Sequence, residues 1–287
     1  MSNIDGPQEL ARRLEDEAGY LADFGLAAAA FLAMRMRRPL FLEGDPGVGK
    51  TSFAEAMAVV LGGIPVVRLQ CHAGLDASQA LYDWNFPRQI MRLRAAGEGD
   101  HRDLEPQLWT EEFLIERPVL KALRQPAVLL VDEIDRADDE FEALLLQVLD
   151  TFEIDVPELG TLRAERKPFV VLTSNQTREV HDAIKRRCLY HWIAHPDEGR
   201  EVRILHRHVR DLPEELAREV AVAMRRLREP EKMIKPPGVA EAINLATAVR
   251  ELGGQRLTPD IAEATVSTVA KHHEDEPAVR AALNQPC

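Results

Sequence analysis

The sequence is poor in cysteine and in long apolar runs, and each shortage excludes a class of protein. Its three cysteines, Cys71, Cys188 and Cys287, lie far apart and form no Cys-x-x-Cys motif, which argues against a disulfide framework or a zinc knuckle. The first twenty residues hold no apolar core of signal-peptide length, and the run over residues 26–34 is too short to span a bilayer. These shortages predict a cytoplasmic protein with no stable membrane insertion.

Positive charge is also scarce, because 36 Lys and Arg residues stand against 48 Asp and Glu residues, for a net charge of −12. Contacts with phosphate backbones need clustered basic side chains, so we expect no nucleic-acid partner and disfavour a DNA-directed motor or clamp loader. The chain is 45% hydrophobic and 29% charged, as in ordinary globular proteins. Its 287 residues allow one large domain and a small one.

Short apolar runs separated by helical or loop segments dominate the first two thirds of the chain. They lie at residues 40–42, 65–69, 127–131, 169–173 and 188–193. Buried strands interleaved with helices predict an α/β fold with a parallel five-stranded sheet between helices. Beyond residue 197 only helical periodicity continues, over about four helices. We therefore predict an α/β domain over residues 1–197 and a small all-helical domain over residues 198–287.

One octapeptide, placed between the first apolar run and a predicted helix, matches the phosphate-loop pattern at every required position. It consists of Gly44, Asp45, Pro46, Gly47, Val48, Gly49, Lys50 and Thr51, with Ser52 next in the helix. Glycines let backbone N–H groups face a phosphate, Lys50 neutralises phosphate charge, and the Thr51 hydroxyl can ligate Mg²⁺. The strand and helix on either side disfavour a plain glycine turn, so we predict binding of ATP with Mg²⁺.

Two carboxylates, Asp132 and Glu133, directly follow the apolar run that ends at Val131. Ligands bind at the carboxyl ends of strands in open α/β sheets. Asp132 is predicted to hold Mg²⁺ through its water shell, and Glu133 to orient and polarise the attacking water. Acidic residues are also favoured where a helix begins, but a phosphate loop in the same chain favours the catalytic interpretation.

Two further polar segments have two interpretations each. Asn175, after the fourth apolar run, can either reach the attacking water or the γ-phosphate, or cap the next helix. Arg186 and Arg187 precede the fifth run, where they form either a solvated basic face or an arginine finger that acts in a neighbouring subunit. The residues alone leave both alternatives open.

The order of these motifs resembles that of AAA+ ATPases over nearly the whole chain. Within them, the Asp-Glu-Ile-Asp-Arg-Ala string at residues 132–137 and the hairpin-like segment within residues 153–165 resemble the MoxR-type subgroup. A second insertion of that subgroup corresponds to residues 74–94. The Leu-Tyr-Asp-Trp-Asn-Phe-Pro-Arg-Gln string at residues 81–89 and the segment 234–239 are similar to the branch that matures carbon monoxide dehydrogenase.

This resemblance implies roles for particular side chains. Lys50 and Thr51 become phosphate and magnesium contacts, Asp132 and Glu133 the acidic pair, and Asn175 the first sensor. Arg187 becomes the finger that acts in a neighbouring subunit, with Arg186 as the other candidate, and Tyr20, at the start of the helix predicted over residues 21–36, is expected near the adenine. MoxR-type proteins also carry a nucleotide-sensing arginine in the helical lid, but residues 235–239 here read Lys-Pro-Pro-Gly-Val.

The resemblance also implies partners. It predicts a homo-oligomeric ring, hexameric by analogy, that works as a chaperone on a client protein. That client would be an apo molybdenum hydroxylase such as carbon monoxide dehydrogenase, with a von Willebrand-type domain protein as a further partner. Two alternatives remain: a remodeller of a different client, such as an activase, and a nucleotide-regulated binding module with negligible turnover. The intact Glu133 argues against the second.

Overall fold

The structure is a computed structural model that describes residues 4–95, 105–229 and 232–285. It separates into two compact units, Met1–Glu43 with Thr51–Trp192 (unit 1) and Gly44–Lys50 with Ile193–Cys287 (unit 2). The residues of the phosphate-loop pattern up to Lys50 therefore group with the C-terminal region. The predicted domain border at residue 197 stays a prediction, and Cys287 lies outside the described residues.

Unit 1 contains the predicted parallel five-stranded sheet. The strands of the chain are β1 (Leu40–Glu43), β2 (Val66–Gln70), β3 (Tyr82–Trp84), β4 (Leu114–Glu116), β5 (Val128–Asp132), β6 (Glu153–Val156), β7 (Gly160–Arg163), β8 (Phe169–Ser174) and β9 (Leu189–Trp192). The main sheet has the order β2-β5-β8-β1-β9, and all its pairs are parallel. Every residue of β5 is buried, as expected for a strand covered on both faces. The α/β prediction is confirmed.

Nine α-helices begin in the first 192 residues of the described chain. They are α1 (Pro7–Ala18), α2 (Phe24–Met36), α3 (Lys50–Val60), α4 (Ala77–Ala80), α5 (Phe86–Ala95), α6 (Glu105–Leu108), α7 (Pro118–Arg124), α8 (Asp139–Thr151) and α9 (Asp182–Arg187). Helix α1 was not predicted from the sequence, although Leu10 and Leu14 bury one face at helical spacing. Helix α2 begins later than residue 21, because the Asp23 side chain caps it by accepting a hydrogen bond from the Leu26 N–H at 2.8 Å.

Two small antiparallel pairs extend from unit 1. Strands β3 and β4 pair from Tyr82 opposite Glu116 to Trp84 opposite Leu114, with α4 directly before β3 and α5 directly after it. Strands β6 and β7 form a hairpin with Glu153 opposite Arg163. Strand β3 lies within residues 74–94 and the β6–β7 hairpin within residues 153–165, the two segments that resemble the MoxR-type insertions, whereas β4 lies outside them.

The C-terminal part of unit 2 is helical, and its described residues form five α-helices where about four were predicted. These are α10 (Glu198–His208), α11 (Glu214–Leu227), α12 (Val239–Glu251), α13 (Pro259–Val269) and α14 (Glu276–Asn284). The additional break comes before α14, where Pro277 occupies the first turn, a position that suits proline. Their core is aliphatic, with Leu205, Leu216, Val220 and Leu245 fully buried. Within the described residues, no helix has the length and apolarity needed to cross a bilayer.

Candidate phosphate-binding loop and acidic cluster

The loop between β1 and α3 has the backbone that a phosphate-binding loop requires. Gly44, Gly47 and Gly49 have φ values of 156°, 80° and 98°, which residues with a side chain rarely adopt. A Cβ on Gly44 would also lie 2.3 Å from the Ile193 carbonyl oxygen. The glycines are therefore required by local conformation and by close packing.

Lys50, the first residue of α3, turns its ammonium group back over this loop. Its Nζ donates to the carbonyl oxygens of Gly44 at 2.6 Å and Asp45 at 2.8 Å, and the residue is only 7% exposed. A buried ammonium group needs polar partners, and here two carbonyl oxygens of the loop supply them. The Lys50 ammonium group thus lies against the loop backbone, and its role in binding phosphate stays a prediction.

His195 is a second titratable group of unit 2 beside the loop. Its Nε2 lies 3.1 Å from Asp45 Oδ2. Burial lowers the pKa of His195, and the nearby positive charge of Arg228 lowers it further, while Asp45 opposes the shift. At neutral pH the contact is therefore one between a neutral imidazole and the Asp45 carboxylate.

Asp132 ends β5 as the centre of a hydrogen-bonded cluster in unit 1. Its side chain is 4% exposed and accepts from Thr173 Oγ1 at 2.5 Å and from Thr51 Oγ1 at 3.3 Å. Arg68, on β2, donates Nη2 to Asp132 Oδ2 at 2.5 Å. A carboxylate with this many donors is firmly fixed in one orientation.

Glu133 has a left-handed backbone conformation, with φ of 56°, uncommon for a residue with a side chain. Its N–H donates to Thr173 Oγ1 at 2.9 Å, which holds that backbone in place. Its carboxylate accepts from Asn175 Nδ2 at 3.0 Å and Gln70 Nε2 at 2.9 Å, and Arg136 Nε lies 3.1 Å away. The side chain is 25% exposed, so it remains within reach of solvent.

The loop after β8 brings Asn175 to this cluster. Asp135, which is 2% exposed, accepts from the N–H groups of Asn175 at 3.2 Å and Thr177 at 2.9 Å, and from Thr177 Oγ1 at 2.6 Å. It therefore shapes the loop that carries the Asn175 amide. The structure brings Thr51, Asp132, Glu133 and Asn175 together, and their catalytic roles stay predictions.

Several members of this cluster were missed from the sequence. Thr173 bridges the two acidic residues, and Arg68 and Gln70 reach them from the neighbouring strand β2. Thr173 lies in the Thr-Ser-Asn string, so its position in the string was a usable signal. Arg68 and Gln70 alternate with apolar residues along β2, a pattern that indicates only which face of the strand they share.

The two arginine-finger candidates differ in their surroundings within unit 1. Arg187 binds the Asp150 carboxylate through Nε, and through Nη2 at 2.6 Å to Oδ2, which lowers the pKa of Asp150. The Arg186 side chain is exposed, and its carbonyl oxygen accepts from Arg38 at 2.5 Å. That either arginine acts in a neighbouring subunit stays a prediction.

Two further predicted nucleotide contacts are Tyr20 and Ser52. Tyr20 lies in the link between α1 and α2 and not at the start of a helix, because α2 is capped by Asp23. Its ring packs edge-on against Phe53 with centroids 5.6 Å apart. Ser52 is exposed in the first turn of α3. A nucleotide contact for either residue remains untested.

The side chains of Thr51 and Asp132 suit Mg²⁺, which does not need a site formed by protein ligands alone. Across residues 4–95, 105–229 and 232–285, no group of three or more His, Cys, Asp or Glu side chains could hold a metal ion. Mg²⁺ typically uses one or two protein oxygens together with waters and substrate phosphates. The Thr51 hydroxyl and the Asp132 carboxylate, in contact with each other, supply such a pair.

Cysteine chemistry has no place in this site. Cys71 and Cys188 are free and buried. Burial raises the pKa of each thiol to about 12, and for Cys71 the charge of Asp132 adds to the shift. Both thiols are therefore protonated at neutral pH and do not act as nucleophiles.

A glycine loop after β1, an acidic pair at the end of β5, two strands away in the sheet, and a helical C-terminal region define the P-loop AAA+ fold. The profile of the AAA domain family, dynein-related subfamily, matches residues 39–188, which is more than half of the chain. The chain belongs to this family.

Three other proteins are similar to part or to most of this chain. An uncharacterized protein of Staphylococcus epidermidis is 23% identical over 256 residues, covering 87% of this chain and 90% of that protein. The uncharacterized protein YehL of Escherichia coli is 26% identical over 158 residues, covering 52% of this chain and 40% of YehL. Midasin of Giardia intestinalis is 31% identical over 128 residues, covering 44% of this chain and 2% of midasin.

Solved structures agree on the fold. A single-residue variant of RuvB from Thermotoga maritima superposes with a TM-score of 0.51 at 17% identity, covering 95% of this chain and 74% of RuvB. A second RuvB variant gives the same TM-score and covers 92% of this chain. The protein therefore has an AAA+ P-loop NTPase fold with a helical C-terminal region.

Proposed function

We propose that this protein hydrolyses ATP in a Mg²⁺-dependent reaction, as one subunit of a homo-oligomeric ring. The observation that carries the proposal is the placement of Glu133. Its carboxylate directly follows β5 and is held by the Asn175 amide at 3.0 Å, while Asp132 next to it contacts the Thr51 hydroxyl. This is an arrangement suited to polarising a water beside a metal-binding pair.

Each group has a defined task in this proposal. Lys50 and the loop amides bind and orient the phosphates, and Thr51 and Asp132 hold the metal, which supplies charge neutralisation when bound. Glu133 accepts a proton or hydrogen bond from the attacking water, and Asn175 keeps that carboxylate in its orientation. Because Thr51 directly follows Lys50 in the chain, the phosphate-binding loop leads straight into the metal-binding pair.

The ring would supply the last group. Arg187 or Arg186 of one subunit would neutralise charge that develops in the neighbour's reaction, so turnover would depend on assembly. Arg187 would first have to leave Asp150, a step that costs little because the pair lies in solvent.

The finer part of the proposal concerns the client. The resemblance of residues 81–89, 132–137 and 153–165 to MoxR-type ATPases supports a cytoplasmic chaperone that remodels another protein. The same resemblance favours an apo molybdenum hydroxylase, with a von Willebrand-type domain protein as helper. A different client, as for an activase, is the alternative.

A binding module with negligible turnover is the second candidate function. It is favoured by one observation, that Gln70 and Arg136 as well as Asn175 contact the Glu133 carboxylate. If Glu133 kept all three contacts, the protein would bind nucleotide, but Glu133 would not activate water. Gln70→Ala, which removes one of these donors, should then raise turnover.

ATP turnover measured against protein concentration tests the main proposal. Wild type should gain specific activity as concentration rises, and Glu133→Gln should bind ATP but lose turnover by about two orders of magnitude or more. Arg187→Ala should lose the concentration-dependent part. Arg12→Ala is the matched control, because Arg12 also forms an exposed ion pair with an aspartate, Asp16. Flat turnover that Glu133→Gln leaves unchanged would overturn the proposal.

A further inference from the structure

Helix α12 contacts the phosphate-binding loop through main-chain atoms of unit 2. The N–H of Val239, the first residue of α12, donates to the carbonyl oxygen of Gly47 at 3.0 Å. Gly238 is buried at this contact, and a Cβ on it would lie 2.7 Å from Gly47 Cα and 2.9 Å from the Gly47 carbonyl carbon and oxygen. The close approach thus requires that residue 238 has no side chain.

This hydrogen bond also fixes the direction of the next amide in the loop. In a trans peptide unit the C=O and N–H bonds are coplanar and point in opposite directions. A Gly47 carbonyl held towards α12 therefore turns the Val48 N–H away from α12. Loops of this type bind phosphate through such backbone N–H groups, so the α12 contact sets the orientation of one candidate phosphate donor.

The segment before α12 is itself firmly held. Arg228 donates Nε to the Pro237 carbonyl oxygen at 2.8 Å and binds both carboxylate oxygens of Glu201 at 2.7 Å. Arg228 and Glu201 side chains are only 8% and 1% exposed. Glu241 accepts from the Gly238 N–H at 2.9 Å. Helices α10 and α11 thus provide a rigid support for the residue that contacts the loop.

We propose that Gly238 and Val239 are positioning residues through which the helical region and the phosphate-binding loop influence each other. The Val239 N–H would orient the Val48 amide for phosphate. A phosphate on the Val48 N–H would in turn polarise the Gly47 carbonyl and strengthen its bond to Val239. Coupling of this kind is reciprocal, so nucleotide would tighten the contact as much as the contact tightens nucleotide.

This route needs no arginine in the helical region. The segment 235–239 offers only Lys235 as a cation, and its side chain is exposed. A main-chain contact suits a nucleotide response that does not depend on side-chain charge. The inference rests on the nucleotide-binding part of the proposed function and is independent of whether hydrolysis occurs.

Val239→Pro and Val239→Ala make a matched pair for the test. Proline removes the N–H and places its Cδ where the hydrogen pointed at the Gly47 oxygen, 3.0 Å from the nitrogen, so it breaks this contact completely. It still suits the first position of a helix, and the extended Gly238 backbone, with ψ of −172°, tolerates a following proline. Alanine keeps the N–H. We expect the affinity for fluorescent ADP and for a fluorescent non-hydrolysable ATP analogue to fall about five- to tenfold in Val239→Pro relative to Val239→Ala.

Hydrogen–deuterium exchange supplies the reciprocal measurement. Nucleotide should slow amide exchange at the start of α12 in wild type and Val239→Ala but not in Val239→Pro. Gly238→Ala should behave like Val239→Pro, whereas Gly199→Ala, where the nearest atom would lie 3.5 Å from the new Cβ, should match wild type. Thermal unfolding checks that each variant is folded.

The outcomes separate this inference from the proposed function. Equal affinities and equal protection of α12 in the proline and alanine variants would overturn the coupling while leaving nucleotide binding intact. A wild-type protein that binds neither nucleotide would overturn the proposed function, and the coupling with it.

Discussion

The acidic cluster of unit 1 and the phosphate-binding loop of unit 2 are built from different chemistry. In the cluster, side chains hold side chains, as Thr173 holds Asp132 and Asn175 holds Glu133. In the loop, backbone contacts dominate, with carbonyl groups bound by Lys50 and by the Val239 N–H. A substitution in the cluster can therefore remove a single side-chain interaction. In the loop, where backbone atoms make the contacts, adding a side chain to a glycine is more damaging than removing a side chain.

The largest expected effect is a difference in the free energy of unfolding between two variants, each of which lacks the arginine of an ion pair in one unit. Arg228→Ala would leave the Glu201 carboxylate buried without its partner, and we expect a loss of about 3–5 kcal/mol in the free energy of unfolding. Arg68→Ala removes a pair whose arginine is 53% exposed, and Asp132 keeps Thr173, so that loss should stay below about 1 kcal/mol. Urea unfolding of both variants measures the difference.

The loss in Arg228→Ala should also depend on pH. Burial already raises the pKa of Glu201 above its ordinary 4.5, and Arg228 opposes that rise. Without Arg228 the folded-state pKa rises further, so the folded protein binds a proton that the unfolded chain releases above pH 4.5. Stability should therefore fall as pH rises from 4.5 through the folded-state pKa. An equal loss at pH 5 and pH 8 would contradict the assignment.

A smaller difference in stability is expected between two Thr→Val variants, one in each unit. Thr173→Val removes a hydroxyl that donates to Asp132 and accepts from the Glu133 N–H, so the variant should lose about 1–3 kcal/mol because both groups lose a partner. Thr265, also buried, donates to the Ile261 and Ala262 carbonyl oxygens of its own helix, and Thr265→Val should cost less than about 1 kcal/mol. Similar losses in both variants would show that the acidic cluster does not depend on Thr173.

The smallest expected effect concerns Asp150. Asp150→Asn weakens the pair with Arg187, but both side chains are solvent-accessible, so the thermal midpoint should not change measurably. Because Arg187 lowers the Asp150 pKa, any contribution of the pair is complete above the ordinary Asp pKa of 3.8 and is lost as pH falls through the folded-state pKa. A midpoint lowered by several degrees would show that the pair supports the packing of α8 on α9.

The features predicted correctly from the sequence are those that short local patterns indicate. Apolar runs gave all five strands of the sheet, and glycine spacing gave the loop, because both signals lie within a few neighbouring residues. Glu201 lies on α10 and Arg228 directly follows α11, and nothing local indicates that tertiary packing buries both. The Gly47 and Gly238 contact joins residues almost two hundred positions apart, and a glycine after two prolines predicts only a turn.

The close approach of Gly238 to Gly47 has a consequence for anyone who recombines this protein with a relative. Any side chain at position 238 would meet the loop backbone at 2.7–2.9 Å. A hybrid that takes its C-terminal helices from another ATPase therefore inherits a surface shaped for that donor's own glycine loop. The workable unit of exchange is discontinuous, Gly44–Lys50 together with the chain from Ile193 onward, and a single crossover near residue 197 would divide it.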